Sequence, residues 1–95
     1  MTIEPGFRRA HAIVRGRVQG VAFRFATEAE ARREAVAGWV CNRPDGSVEA
    51  VFEGPAASVE RMLAFVRRGP PAARVAGVEV TEETPRGARG FEIRH

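Results

Sequence analysis

Between Arg9 and Gly16 the chain alternates, with Ala10, Ala12 and Val14 on one side and His11, Ile13 and Arg15 on the other. A period of two with one apolar face predicts a strand buried on one side. The period then changes. From Ala22 to about Ala35 the residues are rich in Ala, Glu and Arg, good helix formers, and a first helix is expected there. VAGWVCN (36–42) reads as a second strand, RPDG (43–46) as a tight turn, and SVEAVFEG (47–54) as a returning strand with Val48, Ala50 and Phe52 inward. Together these predict a hairpin. Pro55 opens a second helix with the stripe Val59, Met62, Leu63 and Val66, and Gly69, Pro70 and Pro71 close it. ARVAGVEVTEE (73–83) supplies a fourth strand and GFEIRH a short terminal one.

The order is therefore βαββαβ plus a short C-terminal strand, in a single domain spanning 1–95. Two βαβ units in so small a domain predict an α+β fold, the ferredoxin-like split βαβ sandwich. Its two helices would lie on one face of a mixed, mainly antiparallel sheet.

Composition narrows the partners. No apolar run approaches the roughly 18 residues of a membrane span, and the N-terminal MTIEPGFRR carries acid and proline where a signal peptide would carry its apolar centre. A cytoplasmic location with no membrane partner is expected. Cys41 is the only cysteine, so no internal disulfide forms, and with two histidines a transition-metal site built from protein ligands is not expected. All fifteen basic residues are arginine, interleaved with twelve acids, for a net charge of +3. That gives a weak field favouring small anions and not the footprint of a nucleic-acid binder.

The candidate chemistry lies in GRVQGVAFR, Gly16 to Arg24, at the junction of the first strand and first helix. A short glycine-containing connection lets successive backbone N–H groups turn inward into a nest, backed by the positive end of the helix. Gly16 and Gly20 permit positive φ or close backbone approach, and Arg24 can grip two phosphate oxygens with its planar guanidinium. From spacing alone a second reading stands beside this one: a turn before a helix, and an arginine on a solvated face.

GRVQGVAFR followed by GWVCNRPDGSVE resembles the acylphosphatase family, whose members hydrolyse carboxyl–phosphate mixed anhydrides. The resemblance runs from about Arg9 to the end and includes EGP, RRGPPAARV and FEIR. It implies a ferredoxin-like fold and a reaction needing no metal and no cofactor. It also implies a phosphate cradle formed by the loop Arg15, Gly16, Arg17, Val18, Gln19, Gly20 and Val21, with Arg24 binding the phosphoryl group and Asn42 holding the attacking water. The implied substrate is a small acyl phosphate, with inorganic phosphate as product and competitive inhibitor, and the implied state is a monomer.

The chemistry accounts for what the motif lacks. A carboxylate leaving group has a conjugate acid of pKa about 4, so its departure needs no general acid. What remains is to hold a dianion, stabilise its charge as the bond loosens and place a water in line. An amide such as that of Asn42 both donates and accepts. In the absence of a base, a phosphate oxygen of the substrate is left to take the proton from the water.

Other residues receive plainer expectations. Gln19 is assigned no catalysis, Arg15 and Arg17 are expected to be solvated, and His11 to face the open side of the sheet. Phe23 and Trp39 are expected to pack. Four positions depart from the family pattern: Cys41, expected to point opposite to Asn42; Glu34 and Ala35, where an aliphatic residue and glycine usually close the first helix; and His95, where an aromatic is common. Two alternatives accompany the enzyme reading. A base-stacking RNA-binding domain shares the strand order but displays aromatics on its central strands, whereas here strand 1 has none, strand 3 has only Phe52 on the expected core face, and tyrosine is absent. A carbamoyl-phosphate-handling domain of a larger protein would keep the fold and the nest.

Overall fold

A computed structural model describes residues 6–95. Met1 to Pro5, part of the stretch behind the signal-peptide reading, lie outside the described residues. The elements are β1 (Phe7–Arg17), α1 (Phe23–Arg33), β2 (Ala37–Asn42), β3 (Val48–Pro55), α2 (Ala56–Arg68), β4 (Arg74–Glu83) and β5 (Phe91–Arg94). They form one five-stranded sheet in the order β4-β1-β3-β2-β5. β1 is antiparallel to β3 and β4, β2 is antiparallel to β3, and β5 runs parallel to β2 at the edge. The helices, the mixed sheet and the single parallel edge agree with the α+β reading. Among the described residues no helix is long and apolar enough to cross a membrane.

Register explains the core. Ala10, Ala12 and Val14 lie opposite Phe52, Ala50 and Val48, so the apolar faces of β1 and β3 coincide across the pair. Val40 of β2 joins them opposite Ala50. Onto this face pack Val59, Met62, Leu63 and Val66 of α2 and Phe23 and Ala31 of α1, all buried. Phe52 and Phe91 stack with ring centroids 5.9 Å apart.

The other face of the sheet is polar and cross-linked. His11 Nε2 lies 2.7 Å from a Glu49 oxygen, and Arg9 donates to Glu53 and Glu83 at 2.9 and 2.8 Å. Trp39 packs on this open face, where it stands opposite Val51 and is covered by the Arg94 guanidinium, 4.7 Å from its ring. The reason is parity: Val40 takes the buried side, so Trp39 and Cys41 take the other.

Element ends also differ from the pattern-based reading. β1 continues to Arg17, because its pairing with β4 shifts register between Arg15 and Gly16 and then resumes. Gly16 makes this possible: at φ +130 a Cβ there would stand 2.2 Å from the Arg74 carbonyl oxygen. α1 closes at Arg33, where Ala35 N–H donates to the Arg32 carbonyl at 3.2 Å and Val36 N–H to that of Ala31 at 2.9 Å. These paired bonds are a Schellman motif, and they place Ala35 at φ 55 in the left-handed region. Glu34 turns outward to accept from Arg61 at 2.8 Å.

Candidate active site

The connection from β1 to α1 and the end of β2 meet at the helix-covered side of the sheet. A cavity of about 290 Å³ opens there, lined by Val18, Gly20, Ala22, Phe23, Arg24, Phe25 and Asn42. Arg24 is the second residue of α1 and Asn42 the last of β2. Two residues far apart in sequence are brought to one cavity because β2 returns beneath the start of α1. Strand alternation puts Asn42 on the side of Val40, opposite to Cys41.

The loop leading into α1 takes unusual backbone angles. Gly20 has φ +73 with open space where a Cβ would be, and Ala22, at the N-cap of α1, has φ 61. No side chain caps that terminus and no acid lies in its first turn. Its positive partial charge is therefore left uncompensated by the described side chains. Arg24 makes no ion pair among the described residues; it approaches His95, with Nη1 3.4 Å from Nδ1.

Gln19 performs a different task from its neighbours. Its Nε2 donates to the carbonyl oxygens of Arg43 at 2.8 Å and Ser47 at 2.9 Å. These residues bracket the β2–β3 turn and are themselves joined by the Arg43 N–H to Ser47 carbonyl bond, 2.9 Å. Within the turn the Asp45 carboxylate accepts from the Ser47 hydroxyl and amide, which hold its pKa down to about 2. Gln19 thus ties the loop to the turn that follows Asn42.

Not every residue of the predicted cradle lines the cavity. Val18, Gly20, Arg24 and Asn42 do. Gly16 and Arg17 remain paired with β4, and Val21 packs against the core. Arg15 lies on the polar face, where its guanidinium is 2.7 Å from Glu79 and 3.5 Å from Asp45. Phe25 and His95 are site residues that the motif reading passed over. Phe25 left a faint signal, an apolar residue that breaks the polar surface of α1; His95 left none, since its approach to Arg24 depends on the parallel placement of β5. A larger cavity of about 470 Å³ lies elsewhere, by Trp39 and the segment preceding β5. Three of its arginines already have acids within 4 Å: Arg9 beside Glu53 and Glu83, Arg86 beside Glu83, and Arg94 beside Glu92.

Comparison with known proteins follows the same division between motif and fold. The family model described as Acylphosphatase matches residues 10–93. The acylphosphatase of Gloeobacter violaceus is 56% identical over 85 residues, 90% of this chain and 91% of that protein. Among solved structures, an acylphosphatase from Coxiella burnetii superposes with a TM-score of 0.92 at 34% identity, covering 99% of this chain and 100% of that one. The acylphosphatase from Bacillus subtilis gives 0.89 at 39% identity, covering 93% and 99%. With that match spanning both elements that build the cavity, the chain belongs to the acylphosphatase family, enzymes of acyl phosphate hydrolysis.

Proposed function

We propose that Arg24, with the backbone amides of the Arg15 to Val21 loop, binds the phosphoryl group of an acyl phosphate while Asn42 holds the water that attacks it in line. The observation that carries this reading is the convergence of Arg24 and Asn42 on one cavity, with Arg24 in no ion pair among the described residues. A guanidinium without an acidic partner is available for a bidentate grip on phosphate oxygens. It lies at an uncapped helix N-terminus, so both charges act on the same group as negative charge gathers on its equatorial oxygens. The amide of Asn42 can both accept from and donate to the attacking water, which suits positioning and not proton abstraction. The departing carboxylate leaves unprotonated, and the water gives its proton to a phosphoryl oxygen as the P–O bond to the acyl group breaks. Carboxylate and inorganic phosphate are the products.

Separate roles for two residues make the test. Arg24→Ala should lower kcat/KM by on the order of 10²- to 10³-fold and raise the inhibition constant of inorganic phosphate. Arg24→Lys should recover little, because an ammonium lacks the planar fork. Asn42→Ala should lower kcat by roughly 10²-fold with phosphate inhibition nearly unmoved. Steady-state kinetics with phosphate as competitor, and circular dichroism to verify folding, decide it. If Asn42→Ala weakens phosphate binding as severely as Arg24→Ala while sparing kcat, Asn42 belongs to the cradle and not to the water.

A further inference from the structure

Phe25 follows Arg24 on α1 and presents a phenyl ring that is 64% exposed, yet it lines the cavity that holds Arg24 and Asn42. Among the described residues only Phe7, at 47%, is another exposed large hydrophobic side chain, and Phe7 takes no part in that cavity. The helix does not use the ring for packing: the buried residues of α1 are Phe23, Thr27 and Ala31. Its neighbours in the lining are equally telling. Apart from Arg24, every lining side chain is apolar or, in Asn42, a neutral amide.

An acyl phosphate has two ends with different needs. The phosphoryl end is charged and takes Arg24. The acyl end is left with Ala22 and the ring of Phe25, exposed side chains that provide neither a cation nor an acceptor. A charged or strongly hydrated acyl group would lose water there without a replacement partner, whereas an apolar one would cover the exposed ring and shed the water over both surfaces.

We infer that Phe25 is the acyl-group contact of this site, so that it favours acyl phosphates with apolar, above all aromatic, acyl groups over small or charged ones; this rests on Arg24 and Asn42 acting as proposed above. Phe25 is a specificity-determining residue. It recognises the part of the substrate that leaves.

The test compares benzoyl, acetyl and succinyl phosphate on the full chain and on Phe25→Ala and Phe25→Leu. Each rate is divided by the uncatalysed hydrolysis rate of the same compound, and inorganic phosphate is the competitor throughout. The wild-type chain should prefer benzoyl phosphate, and the benzoyl-to-acetyl ratio of kcat/KM should fall roughly 10-fold in Phe25→Ala, chiefly through KM. Phe25→Leu should keep much of that ratio, while the phosphate inhibition constant moves by less than about twofold in either variant. An unchanged ratio in Phe25→Ala, equal losses on all three compounds, or a wild-type preference for succinyl phosphate would overturn the inference. Failure of the underlying reading looks different. If phosphate does not compete in the wild-type chain, or none of the three compounds is hydrolysed, the Arg24 clamp is wrong and the role of Phe25 falls with it.

Discussion

Thr27 occupies the buried side of α1 with no exposed surface, and its hydroxyl has no hydrogen-bond partner among the described residues. A buried hydroxyl without a partner costs roughly 1–3 kcal/mol, and valine keeps its branched shape without the polar atom. Thr27→Val should therefore raise stability by about 1 kcal/mol, or Tm by roughly 4–8 °C in a domain this small. Thermal unfolding followed by circular dichroism checks it, and an unchanged or lower Tm would mean that the hydroxyl is satisfied. The same scale shows what sequence can reveal about the site. That Arg24 and Asn42 meet at one cavity was legible, because the motif marks both and strand parity orients Asn42. The open-face position of Trp39 follows from the same parity, since Val40 beside it takes the buried side. The contact between Arg24 and His95 was not legible, since it is made across the fold by residues with no local pattern in common.

At the level of elements, alternation and helix-forming composition placed all seven, and the errors fall at their ends. β1 runs to Arg17 because Gly16 absorbs a register shift against β4, a pairing that no local window contains. α1 stops short of Ala35 because tertiary position turns the chain there into Val36 and β2. The family-pattern departure at Ala35 now has a physical meaning. A left-handed alanine costs on the order of 1 kcal/mol relative to glycine, which adopts that conformation freely. Ala35→Gly should stabilise the chain by about that amount, less the entropy that glycine adds to the unfolded state. Urea denaturation with an unchanged m-value would report it. Destabilisation would show that the Schellman turn carries no strain. Glu34, the neighbouring departure, is already engaged with Arg61 and needs no replacement.

For the whole molecule, one acid-sensitive contribution to stability is centred on Glu53, 3% exposed near the end of β3. Burial by itself would raise its pKa. The backbone N–H groups of Arg86, Gly87 and Ala88 and the guanidinium of Arg9 outweigh that, holding it below its usual value of 4.5. Glu82 and Glu83 are lowered in the same direction by Arg8 and Arg9. A carboxylate depressed in the folded state contributes stability that is complete above its unfolded pKa and lost as pH falls through the folded one. Unfolding free energy should therefore be flat near neutrality and decline below about pH 4.5. Glu53→Gln should lower stability at pH 7 by about 3 kcal/mol, since it leaves Arg9 buried beside a neutral group, and should flatten the acid decline. A pH series of denaturation curves on both proteins checks the sign; an equally steep decline in the variant would place the acid sensitivity elsewhere.

The pair of hydrogen bonds that Gln19 donates to Arg43 and Ser47 makes the β1–α1 loop and the β2–β3 hairpin neighbours in energy as well as in space. If the loop binds a phosphoryl group as proposed, any ordering that this brings is passed through that amide to the turn. Linkage is reciprocal, so an anion that steadied the turn would be bound more tightly by the same factor when the turn is ordered. The β2–β3 turn is in this sense a silent reporter of occupancy. The exchange of its Arg43 and Gly46 amides with solvent, both bonded within the turn, should slow when phosphate is present.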